Sequence, residues 1–348
     1  MALWLVRAGK YGEHEARFIE QNVVCLTFSD LVNENLTGIA DYEGIKEVVQ
    51  RLNPNSTIRQ VGNSAGQIWA FALAMKVGDW VVLPRKESAT IAIGQVTSPY
   101  KYRAGEDSLY RHVREITWLA TSIPRASFDQ DLLYSFGAFL TVCQIQRNDA
   151  EVRVRAMQGR GWTSAPPAPV GVVVNAANPE SGIDDDVTVD LELLARDAIA
   201  RLIIQKFQGH GLARLVDAIL KSQGLTTHLS PEGPDGGIDI LAGGGSFGFQ
   251  SPRICVQVKS GDSQADRPEF TQLIGAMQNV HADQGLFVSW SGFKQTVMRE
   301  VPNQFFKVRL WNQNDLIDQI LDNYDKLDPD IRAELPLKRI WTIATPDD

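Results

Sequence analysis

The chain is poor in the residues that build most protein-held metal and redox sites. It has only 3 cysteines in 348 residues, Cys25, Cys143 and Cys255. They are odd in number and far apart, which excludes a disulfide framework and a paired-cysteine zinc site. Its 5 histidines, at 14, 112, 210, 228 and 281, form no HExxH or similar ligand spacing, so zinc-dependent hydrolysis is disfavoured. No apolar run approaches the roughly 20 residues of a membrane-crossing helix. The opening Met1-Ala2-Leu3-Trp4-Leu5-Val6-Arg7 is too brief for a signal peptide, so a cytoplasmic protein with no membrane partner is expected. GxxxxGK[ST] is missing, which removes a nucleotide-driven motor.

Positive charge is also scarce overall: 34 Lys and Arg stand against 42 Asp and Glu, a net charge of −8. That balance opposes a nucleic-acid partner only if it is uniform, and it is not. Residues 1–50 carry 4 basic and 8 acidic side chains, residues 51–125 carry 10 basic and 5 acidic, and residues 180–192 carry 6 acidic side chains with no basic one. A locally cationic stretch is therefore compatible with the acidic total.

What is present is a folded composition, 44% apolar and 22% charged, at a length that favours two domains. The division is expected at Gly159-Arg160-Gly161-Trp162-Thr163-Ser164-Ala165-Pro166-Pro167-Ala168-Pro169 and the Asn, Pro and acidic residues after it, because such clustering prevents regular pairing. The predicted organisation is 1–158, a linker over 159–188, and 189–348. Before the linker, β-branched and aromatic runs at Leu3 to Val6, Ile68 to Ala74, Trp80 to Leu83, Thr90 to Val96 and Val113 to Leu119 predict strands of a small barrel. Glu13 to Gln21 and Tyr42 to Leu52 predict helices, the second capped by Asp41.

After the linker, helices alternate with strands. Helices are predicted at Leu191 to Gln205, Leu212 to Ser222, Pro268 to Asn279, Lys294 to Val301 and Asn314 to Tyr324. Strands are predicted at Gly237 to Leu241, Arg253 to Lys259, Gly285 to Ser289 and Lys307 to Trp311, with a turn at Gly243-Gly244-Gly245. The pattern implies an α/β sheet covered by helices.

In Arg253-Ile254-Cys255-Val256-Gln257-Val258-Lys259, strand alternation places Cys255, Gln257 and Lys259 on one face and the aliphatic residues on the other. Upstream, Glu232-Gly233-Pro234-Asp235-Gly236-Gly237-Ile238-Asp239 enters a strand through a glycine turn, with Ile238 and Ile240 facing away from Asp239. If the two strands are neighbours, Asp239 can hold a divalent cation with phosphate oxygens, Gln257 can ligate it or its water, and Lys259 can orient or activate that water. A turn-forming Asp and an edge-guarding Lys are the plain alternatives.

These residues, with Leu273-Ile274-Gly275-Ala276, Gly285-Leu286-Phe287-Val288-Ser289 and Val308-Arg309-Leu310-Trp311, resemble the Mrr-like branch of the PD-(D/E)xK nucleases over about residues 210–325. The resemblance implies an α/β restriction-endonuclease-like domain, a mixed sheet flanked by helices, that cuts DNA with Mg²⁺. In it, Asp239 and Gln257 would be the metal ligands, Gln257 standing where many relatives have Glu, and Lys259 the catalytic lysine. Such proteins usually offer a glutamate on the helix before the glycine turn. Leu212-Ala213-Arg214-Leu215-Val216-Asp217 has Ala and Arg there, which leaves Asp217 as an accessory candidate and Asp235 as a turn residue or second ligand.

The first half, through Val77-Gly78-Asp79-Trp80-Val81-Val82-Leu83-Pro84-Arg85-Lys86, Ile91 to Tyr102 and His112 to Trp118, resembles the PUA superfamily and its EVE-type domains over about residues 1–125. That implies a small β-barrel with helices that recognises a modified base. Trp4, Trp69, Tyr100 and Tyr102 are the stacking candidates, with Trp80 and Trp118 expected in the core. Arg85, Lys86, Lys101, Arg103, Arg111 and Arg114 are the phosphate candidates. The combined expectation is a modification-dependent DNA endonuclease acting as a homodimer. The rivals are a nucleic-acid-binding sensor without activity and a defence nuclease switched on by a small nucleotide.

Overall fold

Among the described residues seven strands organise the first part of the chain, the first three of them almost unbroken in apolar sequence: β1 (Leu3–Val6), β2 (Val23–Cys25), β3 (Trp80–Pro84), β4 (Thr90–Val96), β5 (Lys101–Tyr102), β6 (His112–Pro124) and β7 (Val142–Gln144). The computed structural model describes residues 1–86, 88–163, 190–233 and 237–341, and the chain divides into two compact units, Met1–Ala195 and Arg196–Asp348. In the first unit the strand order is β2-β6-β4-β3-β1-β7, with β5 paired to β6. Among the described residues, only the β1–β3 pair is parallel.

The apolar runs follow from burial on both faces. Trp4, Val6, Val81, Leu83 and Ala92 pack with residues of α1 (Glu15–Glu20), α2 (Tyr42–Leu52) and α3 (Ile58–Trp69). Leu3, Leu5, Trp80, Val82, Ile91 and Ile93 face α4 (Gln130–Phe136) and α5 (Ala150–Gln158). The expected small barrel is therefore an open half-barrel sheet: among the described residues β2 and β7 are the ends of the strand order, and helices occupy both faces. Trp162, placed in the linker by its Gly and Pro neighbours, packs on Trp80 with ring centroids 6.4 Å apart.

Ile68 to Ala74 is helical and not a strand. Thr57 and Gln60 form a reciprocal capping box that starts α3, and Val61, Ala65 and Ile68 recur at helical spacing on its buried side. A π-helical turn, Ala70–Ala74, carries the segment on. By contrast, α2 spans the predicted residues, and Asp41 caps it by accepting the Gly44 N–H at 3.0 Å.

The second unit is an α/β sheet of five strands in the order β12-β11-β10-β9-β8. The chain enters through α6 (Leu191–Phe207) and α7 (His210–Ser222), then forms β8 (Thr226–Leu229), β9 (Ile240–Gly244) and β10 (Gln250–Lys259). After α8 (Arg267–Asn279) come β11 (Gln284–Ser289), α9 (Gln295–Met298), β12 (Val308–Trp311), α10 (Gln313–Asn323) and α11 (Pro329–Glu334). β8, β9 and β10 are antiparallel, whereas β10, β11 and β12 are parallel. This is a mixed sheet with flanking helices, the architecture that the resemblance implied.

Alternation divides β10 between two cores. Val256, with Ile240, Ala242 and Val288, packs against α6, α7 and α10, and Cys255, with Phe287, packs against Phe270, Leu273 and Met277 of α8. Ile238 packs with this second group, so it does not share the face of Ile240 as simple alternation predicts. The reason is that β9 begins only at Ile240, which leaves Ile238 outside the pleat. Gly243 and Gly244, expected in a turn, are the last residues of β9, and only Gly245 turns, with φ +75°. The predicted helix Lys294 to Val301 is the short α9 followed by a 3₁₀ turn, Val301–Gln304.

Candidate active site

Asp239 lies just ahead of β9, at the position where the β9–β10 ladder would continue. Cys255 pairs with Leu241 and Val256 with Ile240, so the next antiparallel positions are Gln257 and Asp239. Hydrogen bonds hold the aspartate there: its own N–H donates to the Val256 carbonyl at 3.0 Å, its carbonyl accepts the Ser230 N–H at 2.8 Å, and the Val258 N–H donates to its Oδ2 at 2.7 Å. The glycine turn delivers it to this place through Gly237, whose φ is +85°. The Asp239 charge acts on Cys255, whose thiol is pushed up to about 11 by burial first and this carboxylate second.

Gln257 and Lys259 follow Cys255 on the α8 side of β10. The Gln257 Oε1 atom is buried and has no hydrogen-bond partner among the described residues. A buried amide oxygen left unpaired costs about 1–3 kcal/mol, and in native proteins water, an ion or a ligand ordinarily satisfies it. Lys259 places its Nζ 2.5 Å from Oε1 of Glu269, a residue in the first turn of α8 that the sequence reading missed. The motif Asp266-Arg267-Pro268-Glu269 signals a capping box in the sequence, and the structure forms it: Asp266 N–H donates to Glu269 Oε2 at 2.8 Å and Glu269 N–H to Asp266 Oδ1 at 3.3 Å. Nothing in the local pattern announces that the same glutamate reaches Lys259.

Asp239 also opens onto a cleft of about 220 Å³ lined by Gly209, His210, Ala213, Pro231, Glu232, Gly233, Val258 and Ser260. Ala213, in the stretch where a helix glutamate was sought, therefore faces the cleft without a carboxylate. Asp217, the proposed substitute, is buried, accepts the Thr227 hydroxyl at 2.5 Å and pairs with Lys221 at 2.7 Å. It is not among the cleft residues: it shares the helix face of Ala213 but lies one turn, about 6 Å, farther along α7, against Thr227 of β8. His210 and Glu232 are titratable neighbours of Asp239 that sequence reading did not select. Asp235 lies outside the described residues.

The donor set suits a hard divalent cation, which prefers oxygen ligands. Asp239 offers a carboxylate and Gln257 an amide oxygen that nothing else satisfies. The set is sparse: among the described residues no three His, Cys, Asp or Glu side chains are grouped to hold a metal. Water and phosphate oxygens would have to complete the coordination shell.

Most of the predicted nucleic-acid contacts in the first unit have structural partners. Trp4 is buried and donates its Nε1 to Asp79 Oδ2 at 2.9 Å. Arg114 is also buried, donating to the carbonyls of Phe71 at 2.6 Å, Ala72 at 3.0 Å and Ser98 at 3.3 Å. Tyr100 packs on the core, its hydroxyl 2.9 Å from His112 Nδ1, and burial pushes its pKa up to about 12. None of these three presents a free stacking or phosphate-binding group. Arg85 pairs with buried Glu15 at 3.1 Å, and Lys86 lies 3.8 Å from Asp190.

Arg111 is held by the Val32 carbonyl and Asn33. Trp80 is in the core and Trp118 donates to the Phe18 carbonyl at 3.2 Å, both as expected. Accessible surface remains on Lys86, 33% exposed, and on further candidates. Trp69 is 38% exposed and meets Tyr42 edge-on, half-buried Tyr102 donates to the Val32 carbonyl, and Lys101 and Arg103 share Glu115. Among the described residues no helix is long and apolar enough to cross a membrane.

A family model described as restriction endonuclease (Mrr_cat) matches residues 204–320, and one described as a domain of unknown function (DUF8426) matches residues 4–134. No match is found among curated proteins. Among solved structures, the chain is similar to the DNA modification-dependent restriction endonuclease AspBHI at 17% identity and a TM-score of 0.32, over 81% of this chain and 74% of that one. It is similar to AF1548, a protein of unknown function, at 16% identity and a TM-score of 0.24, over 37% of this chain and 78% of that one. The MspJI restriction endonuclease in complex with a 27-mer oligonucleotide follows at 14% identity and a TM-score of 0.31, over 74% of this chain and 64% of that one. For the first unit the family found is DUF8426, in place of the PUA or EVE domain its motifs suggested. Within the second unit, the match over residues 204–320 is to a restriction-endonuclease catalytic domain, which supports a nuclease-type hydrolase.

Proposed function

We propose that the protein is a Mg²⁺-dependent, modification-dependent DNA endonuclease in which the first unit selects a modified nucleotide and the second cuts the phosphodiester backbone. The observation that carries the cutting role is the buried, unpartnered Gln257 Oε1 next to the ladder position of Asp239, with Lys259 two residues along the same strand face.

Hydrolysis of a phosphodiester requires water to attack phosphorus while the bond to the leaving sugar oxygen breaks and that oxygen gains a proton. Asp239 and Gln257 would hold Mg²⁺, which when bound supplies positive charge to the phosphate oxygens and lowers the pKa of a ligated water. Asp239 is fixed for this by the Val258 N–H. Lys259 brings an ammonium to the same face, where it can orient the attacking water and offset charge on the phosphate. His210 borders the cleft beside Asp239 and is placed to contact the substrate backbone.

For recognition, Trp69 and Tyr102 are the accessible aromatic candidates, and Lys101 and Arg103 the cations that a phosphate could draw away from Glu115. The test is incubation of the full-length protein with Mg²⁺ and DNA carrying a panel of base modifications, beside Asp239→Ala and Lys259→Ala. The wild type is expected to cut one class of modified DNA, and each variant to lose about a hundredfold or more. Binding without cutting would instead favour a sensor, the reading to which Ala213 and the neutral Gln257 lend weight. Cutting only after a nucleotide messenger is added would make the first unit a ligand switch.

A further inference from the structure

We propose that Glu269 is the second working carboxylate of this site, displaced from the strand to the start of α8, where it positions Lys259 and supplies the negative charge that Gln257 lacks. The proposal rests on the nuclease reading above.

Three observations converge on it. Lys259 Nζ lies 2.5 Å from Glu269 Oε1, and neither side chain is fully exposed, at 24% and 32%. The capping box occupies the other carboxylate oxygen, Oε2, so the glutamate has one fixed rotamer and points its free oxygen at the lysine. The same face of α8 also meets the loop that delivers Asp239. A Cβ on Gly237 would lie 2.7 Å from Nε2 of Gln272, and residues 269 and 272 are neighbours on one helix face. α8 is therefore packed on both halves of the site, Lys259 through Glu269 and the approach to Asp239 through Gln272.

Charge decides what the arrangement does. Asp239 and Lys259 cancel, so with a neutral amide at position 257 these three residues carry no net charge between them, Glu232 at the cleft being apart from this count. Glu269 restores a net charge of −1. Opposite charges favour binding by Coulomb attraction even when the carboxylate does not touch the ion. An ordinary surface ion pair would affect neither ion binding nor turnover.

Glu269→Gln tests this, because glutamine can still accept at the third position of a capping box while the charge is lost. In the full-length protein, Mn²⁺ affinity measured by calorimetry and kcat for DNA cleavage are each expected to fall about 10- to 100-fold, the scale for loss of a group that orients a site residue. The melting temperature should stay near wild type. The double variant Gln257→Glu/Glu269→Gln, which returns the carboxylate to the strand, is expected to recover much of both. Wild-type affinity and kcat in Glu269→Gln would overturn the proposal, and so would losses that Gln257→Glu does not restore. Should Glu269→Gln fail to fold, Glu269→Asp retains the charge and shortens its reach: reduced kcat at unchanged melting temperature supports the proposal, and wild-type kcat overturns it. Asp239→Ala separates the two readings. If it binds Mn²⁺ and cuts like wild type, the site itself is misassigned; if it is inactive while Glu269→Gln behaves as wild type, only the role of Glu269 fails.

Discussion

Arg114 and Asp79 are charged residues whose work is internal. The Arg114 guanidinium is buried on three carbonyl oxygens, and burial drives its pKa down to about 10. Replacing it with methionine would leave those carbonyls unsatisfied and should cost about 3 kcal/mol in urea denaturation. Asp79 accepts the N–H groups of Ala2 and Lys76 and the Trp4 indole. Burial raises its pKa, but these hydrogen bonds outweigh it and hold the carboxyl below its ordinary value. The folded state then binds the proton more weakly than the unfolded chain, so the stabilisation is present above about pH 4 and is lost as pH falls through the folded pKa. Asp79→Asn is expected to lose about 2 kcal/mol at neutral pH, a deficit that narrows below about pH 4 in melting temperatures measured against pH.

Among the elements, the approach to β9 is the most constrained at the site. Gly237 has φ +85°, and an added Cβ would collide with Gln272 of α8. Gly237→Ala therefore carries a backbone cost of about 1–2 kcal/mol and must displace the Gln272 amide or the approach to Asp239. We expect kcat to fall at least about tenfold, while the melting temperature falls by only about 2–8 °C. The β9 and β10 patterns made the Asp239–Gln257 adjacency legible, since a period of two and one shared ladder suffice to place both residues. The segment Ile68 to Ala74 was illegible as helix because its aromatic and aliphatic composition suits either element. What decides it is the capping box at Thr57 and Gln60, eleven residues before Ile68 and outside that run.

At the scale of the whole molecule, the proposed nuclease reading gives each chain one cutting site, and if one site cuts one strand, a double-strand break would need two copies of the chain on the DNA. On a supercoiled plasmid bearing the recognised modification, nicking is expected to rise linearly with protein concentration and linearisation more steeply, toward the second power. Linearisation that is strictly first order in monomer would exclude pairing of two chains.

The sequence by itself determined the alternation that makes the second unit an α/β sheet, the Asp41 cap, and the strand face shared by Gln257 and Lys259. All of these are local, set by backbone periodicity within a few residues. Only the tertiary structure decided which charged and aromatic residues stay on the surface. Trp4 meets Asp79 across 75 positions and Arg114 meets Phe71 across 43, so no window along the chain reveals that they are internal. The pairing of Lys259 with Glu269 and the exposure of Ala213 to the Asp239 cleft are likewise matters of packing, because a helix face acquires its neighbours only when the chain closes on itself.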